Sequence, residues 1–258
     1  GLKLLMVQIG PDDLVIHGEP GQTKIVVHGT ACASNPKWLS DITVATARRG
    51  SGGSVVAHDG EHFSLFGSAY AYLKLDVSVP QSLAIKLQEG SGDASARNLA
   101  SLDAALGSGD LKADGVAGAL RLSVGSGDAE ATQVGSLHLT SLGSGDAKVD
   151  GVAGDARVDS VGSGDLALHN VKGNVSIGSI GSGDAKVMGV GGNLKVDSVG
   201  SGDLVVHDAK GSVSVGALAS GDVGVEQVSG DFSVGAVGSG DVHHHGVQGK
   251  VSVPRSDD

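Results

Sequence analysis

Aromatic side chains are nearly absent from this chain: Trp38, Tyr70, Tyr72, Phe63, Phe66 and Phe232 are the only six in 258 residues. A globular core of this size normally relies on such residues to fill volume, so an ordinary compact domain is disfavoured. There is one cysteine, Cys32, which excludes an intramolecular disulfide. No neighbouring Cys-His pattern supports a nucleophile, so Cys32 reads as a small buried thiol. No apolar run is long enough for a membrane-spanning helix, and Gly1-Leu2-Lys3-Leu4-Leu5-Met6 is too short for a signal peptide. Basic charge is also in deficit, with 18 Lys and Arg against 29 Asp and Glu and a net charge of −11. Such a surface offers neither the basic patch nor the stacking platforms that nucleic acids require, and it does not suit an anionic membrane.

Glycine is what the chain has in abundance, with 44 residues. Many fall in a recurring Gly-Ser-Gly-Asp tetrapeptide, or a one-residue variant of it, ending at Asp93, Asp110, Asp128, Asp146, Asp165, Asp184, Asp203, Asp222 and Asp241. The intervals are 17, 18 and 18 residues and then 19 five times. A period near 19 with apolar residues between Gly-rich turns marks a solenoid of stacked coils.

Aligned on the aspartates, the repeats form apolar columns. One position on stand Ala94, Leu111, Ala129, Ala147, Leu166, Ala185, Leu204, Val223 and Val242. Three positions on stand Ala96, Ala113, Ala131, Val149, Leu168, Val187, Val206, Val225 and then His244. This is the period-two alternation of a strand with one buried face. A second arc follows, as in Gly173-Asn174-Val175-Ser176-Ile177, so each coil has two similar halves. The polar His244 in the last apolar column implies that the stack finishes there. Strands recurring in one direction pair in parallel, which predicts an all-β, right-handed parallel β-helix of about 19 residues per coil. The regular array is expected over 86–253, with a tail at 254–258. Residues 1–85 read as less regular strands that cap or extend it, because an open β-stack end invites aggregation. The segment Ala31 to Gly53, with Pro36, Trp38, Arg48 and Arg49, is where an excursion from the repeat is expected.

Val77-Ser78-Val79-Pro80, then Ile85-Lys86-Leu87, then repeated Ser-Gly-Asp-(Leu/Ala)-x-Val units resemble the bacterial adhesin family of head GIN-domain β-helix proteins. The resemblance covers nearly the whole chain and rests on repeat style, with no catalytic motif in it. It implies an exported protein, periplasmic or at the cell surface, that binds a surface or envelope ligand, with its export signal outside this sequence.

The aspartate column carries the sharpest chemical question. Carboxylates on adjacent coils lie about 4.8 Å apart, where unit charges repel by about 1 kcal/mol even in water. One reading is a turn in which each carboxylate accepts N–H groups of its own corner. The other is a row of cation sites, calcium being the metal that suits carboxylates and turn carbonyls. The opposite corner offers Asp155, Asn174, Asn193, Ser212 and Asp231, an inconsistent set for a cation. His169, His207 and His245 share a column two coils apart, too far to share one metal. His243 and His245 lie on one face of the last strand, where a transition metal or plain surface polarity are the alternatives. His17, His28, His58 and His62 read as surface residues.

A polysaccharide-active enzyme needs a groove with differentiated carboxylates and sugar-stacking aromatics, and this chain has a uniform acid row and few aromatics. Two readings remain: a non-catalytic, adhesin-like binding module of the cell envelope, and a structural scaffold that self-associates through its solenoid ends.

Overall fold

The computed structural model describes residues 2–58 and 70–254; Phe63, Phe66 and His62 lie outside them. Its architecture is a parallel β-solenoid, as the 19-residue period predicts. From Ala147 to Val237 each coil carries two six-residue strands, such as Leu166–Val171 and Val175–Ile180, both of which bury their first, third and sixth residues. Successive coils pair in register, Leu166 opposite Ala185 and Val175 opposite Leu194. The columns of Val, Leu, Ile and Ala from the two arcs face one another and form a single core.

In the first-arc strands the buried–exposed alternation breaks after the third residue, where the fifth residue is left-handed. These are Asn98, Gln133, Asn170, Asp208 and Gln227, at φ of 54–61°, and Gly115, Gly151, Gly189 and Gly246, at φ of 69–80°. Glycine, asparagine and aspartate adopt this conformation at low cost, and Gln133 and Gln227 take it where the stack imposes the bend. The reversal swings the sixth residue inward and bends the strand around the core.

The change of period from 18 to 19 residues has a visible cause. Leu111–Val124 and Ala129–Leu142 run as continuous strands through both arcs. From Ala147 onward the extra residue opens a second corner, first at Gly154-Asp155, and separates Ala147–Val152 from Ala156–Val161.

The N-terminal part departs from chain order. Strands β1 (Leu4–Ile9) and β2 (Asp13–Glu19) form one coil. The chain then runs through β3 (Val26–Ala33), a 3₁₀ turn at Pro36–Ser40, and β4 (Thr43–Arg49). It returns in β5 (Gly52–His58) and β6 (Ala71–Pro80) before β7 (Ala84–Glu89) and β8 (Ala94–Leu99) start the regular climb. β1 pairs with both β5 and β7, and β2 with both β6 and β8. The first coil in sequence is therefore the second parallel layer in space, behind β5–β6. β3 and β4 lie antiparallel on β6 and β5 and form the terminal layer, which is the excursion expected around Pro36 and Trp38. Cys32, opposite Tyr72, is half-buried instead of enclosed. A hydrogen bond to the Cys32 thiol raises the Tyr72 hydroxyl above its ordinary pKa.

At the other end Val242–Val247 pairs, among the described residues, only with Val223–Val228. His244 is exposed there, 6.0 Å from the ring of Phe232 in the layer beneath. Among the described residues no helix is long and apolar enough to cross a membrane.

Candidate functional site: the aspartate ladder and its groove

Stacked coils approach so closely at the Gly-Ser-Gly-Asp corner that its second glycine has no substitute. A Cβ on Gly109, Gly127, Gly145, Gly164, Gly183, Gly202, Gly221 or Gly240 would lie 1.7–2.0 Å from the carbonyl oxygen of the equivalent glycine one coil earlier. This stacking brings all nine aspartates onto one longitudinal edge. Each of the first eight accepts a hydrogen bond from the backbone N–H of the next aspartate. Asp128 donates to Asp110 at 2.8 Å, Asp165 to Asp146 at 2.9 Å, and Asp241 to Asp222 at 3.0 Å. The carboxylates therefore tie coil to coil, whereas the sequence reading placed the donors within each residue's own corner. Register adds a tenth acid: Leu14 pairs with Ala94, which sets Asp13 beside Asp93. Its corner reads Gly10-Pro11-Asp12-Asp13, and the signal that could have found it is the alternation Leu14, Ile16 that follows.

The second corner carries a matching ladder with mixed chemistry. Asp155 accepts from the Asn174 N–H at 2.8 Å, Asn174 from Asn193 at 2.9 Å, and Asn193 from Ser212 at 2.8 Å. Ser212 then accepts from Asp231 at 3.0 Å, and Asp231 from Lys250 at 2.8 Å. These residues look inconsistent as cation ligands because their shared role is to present one short acceptor. The bridge itself does not require charge, yet the first ladder is aspartate throughout.

Between the ladder and the next outward-facing column runs a groove of about 770 Å³. Asp110, Asp128, Asp146, Asp165, Asp184 and Asp203 line one side, with Lys112, Glu130, Lys148, Ala167, Lys186 and Val205 opposite. Its floor is the buried strand start at Leu111, Ala129, Ala147, Leu166 and Ala185. Six rungs at about 4.8 Å give a channel roughly 24 Å long. Lys148 and Lys186 are separated by Ala167, so the cations stand two coils apart. Lys148 approaches Glu130 to 3.9 Å.

The second-arc face spaces its charge in the same way. Arg157 binds Asp159 at 2.7 Å and Lys195 binds Asp197 at 2.7 Å, with Ser176 and Gly178 in the coil between. His138, at 2.9 Å, and then Arg157 hold Asp159 below the ordinary carboxylate range. His169, Met188, His207, Glu226 and His245 occupy one column, and His207 lies 3.8 Å from Glu226. His17 binds Ser78 at 2.8 Å and belongs to the first layers. Among the described residues no three His, Cys, Asp or Glu side chains converge to hold a metal ion.

Two buried acids escaped the sequence reading. Asp12 is 1% exposed and accepts the Leu73 N–H at 2.8 Å, pinning β6 to β2. Glu89 is 5% exposed, and neither of its oxygens is hydrogen-bonded to a described residue. Burial, against the opposing pull of the Gly92 N–H and with Asp93 and Asp110 nearby, pushes its pKa up to about 7.

The sequence profile of the family described as "Putative auto-transporter adhesin, head GIN domain" matches residues 58–208. No curated protein matches the chain. Among solved structures it is similar to a putative lipid binding protein from Parabacteroides distasonis, at 14% identity and a TM-score of 0.48, over 98% of this chain and 93% of that one. It is similar to a putative adhesin from the same species, at 17% identity and a TM-score of 0.43, over 98% and 94%. A third is a putative cell adhesion protein from Clostridium sporogenes, at 11% identity and a TM-score of 0.30, over 98% and 93%.

Proposed function

The chain belongs to the auto-transporter adhesin head GIN-domain family, and from that membership we propose that it is a non-catalytic, exported binding module of the bacterial envelope, capturing an extended ligand along the aspartate groove. The observation that carries this reading is the groove itself, six coils long, with an apolar floor, a continuous acidic side and lysines at two-coil intervals. A ligand that repeats along its length can meet the same chemistry at every coil. Hydrolysis of a glycan would instead need two carboxyl groups driven into different protonation states by different surroundings. The ladder residues repeat one environment, each tied to its neighbour's backbone.

Co-sedimentation with purified bacterial cell envelopes tests the proposal, using the full chain and a triple variant, Asp146→Asn, Asp165→Asn and Asp184→Asn. Asparagine keeps the coil-to-coil bridge, as Asn174 and Asn193 do in the second ladder. Capture of the native chain and its loss in the variant are expected. Equal capture of both would remove the groove from the binding face, and no capture in calcium or in EDTA would overturn the reading. A calcium-dependent difference would assign the carboxylates to ion binding.

Self-association is the second reading, favoured by the outer edge of Val242–Val247, which no described strand covers. Val237, Val242, Val247 and Val253 remain only partly buried beside it. Sedimentation velocity at rising concentration decides it: a monomer throughout removes the scaffold.

A further inference from the structure

Glu89 occupies a place that is apolar in every other coil. Register puts Ile9 on one side of it and Leu106 on the other. The same column continues through Val124, Leu142, Val161 and Ile180. Its carboxyl reaches into the corner stack: a Cβ on Gly109 would lie 2.5 Å from Glu89 Oε1. β1 and Ser101–Leu106 present Ile9 and Leu106 to it. The charges acting on it are Asp93 and Asp110, both negative. The Gly92 N–H beside it is directed at the Gly10 carbonyl, at 3.3 Å. A buried carboxylate needs a cation or several donors, and here it has acids instead.

The position is also a seam. β7 ends at Glu89, with the layers built from residues 2–58 and 70–80 on one side and the Gly-Ser-Gly-Asp array on the other. The Gly107 N–H binds the Glu89 carbonyl at 3.0 Å, and the Ser108 N–H binds the Gly90 carbonyl at 2.7 Å. Ionising the carboxyl therefore loads the joint where the array meets its base.

We propose that Glu89 is a proton-operated latch: neutral, it completes the apolar column and lets the corners at Gly90–Asp93 and Gly107–Asp110 stack; ionised, it drives that seam open. The sign follows from linkage. The folded pKa of about 7 lies above the ordinary value of 4.5, so the stabilisation is complete below 4.5 and is lost as pH rises towards 7. The gap between the two values corresponds to a change on the order of a hundredfold in the opening equilibrium.

Amide hydrogen exchange across pH 4.5–8.5, corrected for intrinsic rates, tests the latch in the full chain and in Glu89→Gln. In the native chain the protection of Gly107 and Ser108 is expected to fall on the order of a hundredfold across this window. The distant corner amides of Gly200 and Ser201 keep theirs, and Glu89→Gln is flat throughout. The same pH course in Glu89→Gln as in the native chain would overturn the proposal. Carbon-13 NMR of the Glu89 carboxyl gives a reading that needs no variant. Titration near 7 supports the latch, and titration near the ordinary carboxylate value overturns it.

Discussion

Single residues in this protein are constrained mainly by the coil next door. Gly145 illustrates it: an added methyl would sit 1.8 Å from the Gly127 oxygen, a backbone atom with no room to move. Gly145→Ala is expected to destabilise the chain by several kcal/mol, on the order of 3–5, as a steric clash in a packed stack does. Gly224 is a matched control, because nothing lies within 4 Å of its Cβ position. Gly224→Ala is expected to be neutral or to stabilise by up to about 1 kcal/mol, since it restrains only the unfolded chain. Urea unfolding of the two variants checks both, and similar midpoints would refute the close-approach account. Asn98, Gln133 and Asn170 follow the same logic, because each meets the glycine of the next coil: a Cβ on Gly115 would lie 3.1 Å from Asn98 Oδ1, and one on Gly189 would lie 3.3 Å from Asn170 Oδ1. From Asn98 to Gly189 an amide side chain thus alternates with glycine along this column.

At the scale of strands and corners, the ladders separate charge from structure. Asp165 accepts the Asp184 N–H at 3.0 Å, and asparagine does the same work in the second ladder. Asp165→Ala removes the acceptor and is expected to cost about 0.5–1.5 kcal/mol. Asp165→Asn keeps it and relieves repulsion from Asp146 and Asp184, so it is expected to raise stability at low salt by up to about 1 kcal/mol, an advantage that salt erases. Thermal melts at two ionic strengths measure this. If asparagine costs as much as alanine, the negative charge itself is structural and the ladder is not simply a row of acceptors. A further ordering rule governs the strands: ion pairs such as Arg157–Asp159 and Lys195–Asp197 occupy alternate coils, so like charges are kept about two strand spacings apart.

Across the whole molecule, each coil touches only its neighbours, so stability accumulates layer by layer. The two ends differ in how they can be shortened. Residues 238–254 form the last coil, and their removal takes one layer and exposes the next. Residues 2–19 form β1 and β2, which lie between β5–β6 and β7–β8. Their removal leaves the antiparallel cap without a bridge to the array. Truncation before residue 20 is therefore expected to abolish cooperative folding, while truncation after 237 lowers the melting temperature modestly. Circular dichroism melts distinguish the two, and equal losses would argue against the interleaved N-terminal layers.

The repeated Gly-Ser-Gly-Asp spacing and the apolar columns after each aspartate are local patterns, repeated nine times, which is why the solenoid, its parallel strands and the aspartate edge could be read from the chain. Their repetition leaves one arrangement that buries every column. The mixed set Asp155, Asn174, Asn193, Ser212 and Asp231 could not be read in this way, because its common role is defined by an N–H on another coil. Interleaving of β1 and β2 depends on long-range pairing that no short pattern encodes. Glu89 shows the difference most plainly: in sequence it is one more acid before a glycine. Its buried place between Ile9 and Leu106, with acids and no cation around it, exists only once the coils stack and exclude water from the corner.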